Sequence, residues 1–191
     1  MSSNRIIRWT AAIVTAGSIA ACGDDQTSDS AGRRSGYSPI RPAPEFELET
    51  LDGDTLTLAD LGDRKAILMN FWASWCFPCK AEMPELIALH EEYDEKGLAV
   101  LGVTVNDLPR DSRAFVAEIA VPYPSVIGTP AMLEAYGISP WLPTTILVTD
   151  GQVVREWVGP QTRKELDYSI QVALGLASPV GLPEEDPAGG R

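Results

Sequence analysis

The feature that most constrains this chain is a strand-like apolar run, Ala66-Ile67-Leu68-Met69-Asn70-Phe71-Trp72, followed after three intervening residues by Cys76-Phe77-Pro78-Cys79. A continuous apolar run of this length, rather than an alternating one, is the pattern of a strand covered on both faces, which implies a sheet sandwiched between layers of helix. Two cysteines separated by two residues, placed where that strand gives way to a helix, can close a disulfide within one turn and reopen it. That is dithiol–disulfide exchange chemistry.

The cysteine count supports a redox role over a structural one. The chain has three cysteines, and the third, Cys22, lies in a targeting segment, which leaves none for a structural bridge in the globular part. A structural zinc site takes four ligands. Two thiols and the single histidine, His90, fall short of that, so no metal and no cofactor is expected.

The first 21 residues combine Arg5 and Arg8 with a following stretch of apolar and small residues, which is the pattern of a signal peptide, too short and weakly apolar to be a span of about 20 residues. Ile19-Ala20-Ala21-Cys22 resembles the bacterial lipobox, in which the cysteine is lipidated and becomes the first residue of the mature protein. Acyl chains, at about 0.8 kcal/mol per buried CH2, would then hold the domain on a lipid bilayer. Cleavage there removes Arg5 and Arg8, which takes 15 basic residues to 13 against 27 acidic ones, a formal balance of −14. Such a charge argues against nucleic acid as a partner.

From Gly23 to Pro44 the chain is rich in Asp, Ser, Gly, Arg and Pro, so residues 22–44 read as a lipidated cysteine followed by a flexible tether. Residues 178–191 read as a disordered tail for the same reason, which leaves 45–177 as one domain. Within it, Glu45 to Leu51 and Thr55 to Leu58 alternate around Asp52-Gly53-Asp54 and predict a hairpin. A helix is expected from Pro78 to Lys96, with Met83, Leu86, Ile87, Leu89 and Tyr93 inward and Gly97 as its stop. Leu98 to Val105 is a second buried strand. Helices over 111–120, 130–136 and 162–174, and strands over 144–149 and 153–158 joined by Asp150-Gly151, complete a mixed α/β pattern with helices on both faces.

Three segments together resemble the thioredoxin superfamily and, within it, the extracytoplasmic TlpA/ResA-like thiol-disulfide oxidoreductases. They are Asn70-Phe71-Trp72-Ala73-Ser74-Trp75-Cys76-Phe77-Pro78-Cys79-Lys80-Ala81-Glu82-Met83-Pro84, then Tyr136-Gly137-Ile138, then Pro143-Thr144-Thr145. The resemblance implies a thioredoxin-like fold with an N-terminal hairpin extension and a redox-active Cys76–Cys79 disulfide.

At a helix start, unpaired N–H groups and the helix dipole favour a thiolate, so Cys76 is the candidate nucleophile. Cys79, one turn in and shielded, is the resolving thiol. Pro78 has no N–H to donate and suits the first turn, and Pro84 is expected inside the helix as a kink. The resemblance further implies that Pro143 is cis and lies against the disulfide, and that Glu82 tunes the acid–base behaviour of the cysteines. Trp75, Phe77, Pro78, Trp141 and Leu142 would border a substrate groove, with core packing the competing reading for Trp141 and Leu142. Ile138 to Pro143 is one residue longer than the family pattern.

The reading that follows is a lipid-anchored reductase in the bacterial cell envelope, facing the periplasm or extracytoplasmic space. Its implied partners are disulfide-containing extracytoplasmic proteins, oxidised apocytochrome c among them, and a membrane electron donor. Two alternatives stand beside it. A peroxiredoxin would carry Pro and Thr seven and three residues before its reactive cysteine, where this chain has Met69 and Ala73. A non-enzymatic copper carrier or chaperone would use the two thiolates as soft ligands.

Overall fold

The computed structural model describes residues 40–138 and 140–179. The signal peptide, Cys22, most of the tether, Ser139 and residues 180–191 of the tail lie outside the described residues. Eight strands and four helices follow one another: β1 Arg41–Pro42, β2 Glu47–Glu49, β3 Thr55–Thr57, β4 Ala66–Trp72, α1 Phe77–Tyr93, β5 Leu98–Thr104, α2 Pro109–Glu118, β6 Ser125–Ile127, α3 Pro130–Ala135, β7 Thr144–Thr149, β8 Gln152–Val158 and α4 Arg163–Ala173.

Six strands form one mixed sheet in the order β1-β8-β7-β4-β5-β6, and β2 and β3 form a separate hairpin. β4 pairs parallel with β5 and antiparallel with β7, so it is the central strand, and all seven of its residues are buried. Its side chains alternate between two cores, as the period of a strand requires. Ala66, Leu68 and Trp72 join Met83, Leu86 and Leu89 of α1, Phe115 of α2, and Leu166 and Ile170 of α4. Ile67, Met69 and Phe71 face the other way, into a core with Met132 of α3, Tyr136, and Ala43, Phe46, Leu48 and Leu58 from the N-terminal segment. The fold is the thioredoxin-like α/β arrangement expected.

Two elements differ from the expected pattern. Arg41–Pro42, placed in the tether from its polar, proline-rich composition, pairs antiparallel with β8. What holds it is tertiary: Arg41 donates to the Tyr136 carbonyl and pairs with Glu156, while the Tyr136 hydroxyl donates to the Pro44 carbonyl at 2.6 Å. Ser125–Ile127 is a three-residue edge strand beside β5, too short to announce itself by periodicity. The hairpin lies at that same edge, tied by a Thr50–Val126 bridge and a hydrogen bond from the Leu51 N–H to the Ser125 carbonyl. The first packed segment therefore crosses one face of the sheet, from β8 to β6. Helix α1 runs through Pro84, and α4 opens on a reciprocal cap in which Thr162 and Glu165 satisfy each other's backbone N–H. No helix among the described residues is long and apolar enough to cross a membrane.

Candidate active site

Two chain segments and a buried carboxyl make up the site at one end of the sheet. β4 delivers the first, because Ala73 to Trp75 carry the chain from the strand end to the start of α1. Cys76 is the N-cap residue, with extended backbone, and its Sγ accepts the Cys79 N–H at 3.2 Å. A sulfur thus occupies the position where a helix offers unpaired N–H groups, the environment that favours an anion. Pro78 sits in the first turn, where its missing N–H costs nothing. Cys76 and Cys79 are joined in a disulfide with Cα atoms 5.3 Å apart. Both are buried, at 4% and 1% exposure, so the expected contrast between an open and a shielded sulfur is small in the oxidised protein.

The second segment enters through pairing of β7 with β4. Phe71 is opposite Thr144, so the preceding residue, Pro143, lies at the same sheet end as the Trp72-to-Cys76 connection. The Leu142–Pro143 bond is cis, and Pro143 is buried, its carbonyl accepting the Gly159 N–H. Leu142 is half-buried and packs against both cores, including the one that holds the two cysteines. Trp141 is 73% exposed, which removes it from the core, as are Trp75 at 62% and Phe77 at 81%. Pro78 is exposed too, so exposed apolar side chains at 75, 77 and 78 flank Cys76 in the chain.

The third component is a carboxyl under the helix. Glu82 lies one turn after Cys79 on the face of α1 turned to the sheet, and it is 3% exposed. Asn70, the one polar residue of β4, donates from Nδ2 to Glu82 Oε2 at 3.0 Å and to Thr145 Oγ1 at 2.9 Å. The Gln161 N–H donates to Oε1 at 2.8 Å. Burial pushes the Glu82 pKa up from its ordinary 4.5 to about 7, with the Gln161 and Asn70 hydrogen bonds opposing it. At 3% exposure Glu82 is not a solvated acid of the first helical turns. Asn70 was legible only as an anomaly, an amide in an otherwise apolar strand. Gln161 acts through its backbone and left no mark in the sequence.

One further residue of the site went unforeseen. Asp107, in the loop between β5 and α2, accepts the Ser74 N–H at 2.6 Å, the Ser74 hydroxyl at 2.9 Å, the Ser112 hydroxyl at 2.7 Å and the Leu108 N–H at 2.9 Å. Partial burial works against its charge, but the donors from Ser112, Ser74 and Leu108 outweigh that and hold its carboxyl below the usual range. His90 is half-buried on α1, with its ring edge-on to Tyr123. Among the described residues, no group of three or more His, Cys, Asp or Glu is arranged to hold a metal ion.

A thioredoxin-like sheet carrying a Cys-x-x-Cys disulfide at the cap of its first long helix defines a thiol-disulfide oxidoreductase. By family, residues 39–157 match the model of the AhpC/TSA family, and the chain belongs to that family. The chain is 35% identical over 132 residues to the thiol-disulfide oxidoreductase ResA of Halalkalibacterium halodurans, covering 68% of this chain and 74% of that one. Among solved structures, a thiol:disulfide interchange protein of the thioredoxin family from Chlorobium tepidum superposes with a TM-score of 0.66 at 28% identity, over 72% of this chain and 99% of that one. A secreted thiol-disulfide isomerase from Corynebacterium glutamicum gives 0.67 at 26% identity, over 77% and 94%.

Proposed function

We propose that this oxidoreductase works as a reductase of protein disulfides outside the cytoplasmic membrane, held on the bilayer through lipidated Cys22. The observation that carries the redox half is the Cys76–Cys79 pair at the α1 cap, flanked in the chain by exposed Trp75 and Phe77 and followed on the same helix by buried Glu82. The Ile19-Ala20-Ala21-Cys22 segment supports the anchor.

In the reduced protein, the Cys76 thiolate attacks one sulfur of a partner disulfide, forming a mixed disulfide and releasing the other partner sulfur as a thiolate. Cys79 then attacks Cys76 Sγ, which re-forms the Cys76–Cys79 bond and frees the second partner thiol. Two electrons pass to the partner. Glu82, with a pKa near neutrality and a place one turn from Cys79, takes up the Cys79 proton as that sulfur becomes the nucleophile. Pro143, at the same end of the sheet, lines the partner's path with Leu142. A membrane electron donor re-reduces the pair, and oxidised apocytochrome c is a partner of the right chemistry.

Trapping tests this directly. Cys79→Ser, expressed with its leader, should accumulate mixed disulfides with envelope proteins, whose identification names the partners. Insulin reduction without peroxide consumption supports the reductase. Peroxide consumption without disulfide reduction would establish the peroxiredoxin alternative instead.

A further inference from the structure

The exposed apolar side chains beside Cys76 extend onto a loop that the Cys-x-x-Cys motif does not include. Leu108, at the N-cap of α2, is 54% exposed although its backbone N–H is fastened to Asp107 Oδ1. The same carboxylate accepts the N–H and the hydroxyl of Ser74, and the neighbouring Asn106 carbonyl accepts the Trp75 indole N–H at 3.0 Å. Asn106 has a left-handed φ of 50°, which an asparagine tolerates and which turns the chain so that residues 106–108 lie against 74–75. Ser112, one turn into α2 and fully buried, closes the arrangement from below.

The geometry points to Asp107 as a positioning residue that locks the β4–α1 and β5–α2 loops together, so that Trp75 and Leu108 form one continuous apolar edge for a protein partner with apolar residues flanking its disulfide. This deepens the reductase reading and rests on it. The occupant follows from continuity, because the edge runs from Leu108 through Trp75 to Cys76, and a protein that presents its disulfide to Cys76 lies over it. A carboxylate that spends its acceptors on two loops has no capacity left for the substrate. Its effect is therefore on where the apolar groups stand, and it should weigh most on a partner large enough to touch both loops. A disulfide of only a few atoms reaches Cys76 without crossing to Leu108.

The test compares second-order rate constants for the reduced full chain with insulin and with oxidised glutathione, in wild type, Asp107→Ala and Leu108→Ser. Leu108→Ser leaves the Asp107 contacts in place and exchanges the apolar group for a hydroxyl that can cap α2. The ratio of insulin to glutathione rate constants should fall by about fivefold or more in both variants, the range of a moderate interface truncation. Asp107→Ala alone should also lower the tryptophan fluorescence anisotropy, because it frees the loop that orients the Trp75 indole. Equal losses on both disulfides, or a ratio kept within twofold in Leu108→Ser, would overturn the proposal while leaving the reductase reading intact. Failure of wild type to reduce either disulfide would overturn the reductase reading itself.

Discussion

Glu82 makes the stability of the oxidised protein depend on pH in a direction opposite to that of most carboxylates. Its pKa stands at about 7 in the folded protein against an ordinary 4.5, so between those values the folded state holds a proton that the unfolded state has released. The contribution of Glu82 is therefore fully present below about pH 4.5, declines as pH rises through the interval, and is lost above about pH 7. At 1.36 kcal/mol per pKa unit, the span corresponds to about 3 kcal/mol. Tyr123, which faces Glu82 from beyond α1, stays protonated throughout, because burial and then the Glu82 charge push its pKa up. The cysteines, joined in the disulfide, do not titrate.

Glu82→Gln removes this titration. Its amide keeps an acceptor for one of the two donors, Asn70 or the Gln161 N–H, and sets an N–H against the other, which costs about 1–3 kcal/mol. The variant is then less stable than wild type at pH 4.5, and the gap closes or reverses by pH 8, where wild type carries a buried charge. Urea unfolding of the oxidised proteins across that pH range reads the difference as a change of about 3 kcal/mol in relative stability. Parallel stability–pH curves would refute the reasoning, because they would mean that Glu82 ionises as easily in the folded protein as in the unfolded chain.

Three other expectations follow from the site and the fold. In the reduced protein Cys76 should alkylate faster than Cys79, and Cys79→Ser but not Cys76→Ser should accumulate mixed disulfides; faster labelling of Cys79 would reverse their roles. Gly102→Ala should lower stability by about 1–3 kcal/mol in urea unfolding, since a Cβ there would stand 2.5 Å from Ser125 Oγ and 2.9 Å from the Trp72 indole nitrogen; an unchanged midpoint would show that β5 has room to give. Cys22→Ala should block lipidation and processing at this site while leaving insulin reduction by the folded domain intact, and unchanged detergent-phase partitioning of the mature variant would remove the lipid-anchor proposal.

Much of the site was legible before any fold was known, because its chemistry is local. Cys76, Pro78, Cys79 and Glu82 lie within two helical turns, and their spacing alone puts a sulfur at the helix start and a carboxyl one turn beyond the second cysteine. β4, β5 and α1 were legible for a related reason: unbroken apolar runs and a 3.6-residue stripe record burial in the sequence itself. Short elements at the sheet edges carry no such record. Arg41–Pro42 is a strand because Tyr136, Glu156 and β8 receive it, and Ser125–Ile127 because β5 offers it an open edge.

The same distinction runs through the functional residues. That Glu82 is a carboxyl near Cys79 follows from counting; that it is buried, and so prone to hold a proton near neutral pH, depends on β4 and β7 placing Asn70 and Thr145 beneath it. Whether Trp141 belonged to the core or the surface could not be decided from its apolar character, which suits both; the fold leaves it exposed. Asp107 looked like any loop acid among 27 acidic residues. Only the parallel pairing of β4 with β5, which brings the ends of both strands to one side, sets its carboxylate against Ser74. Sequence determines what lies within a turn or a strand of the cysteines, because covalent geometry carries that distance; contacts across strands are decided by packing, which the order of residues does not write down.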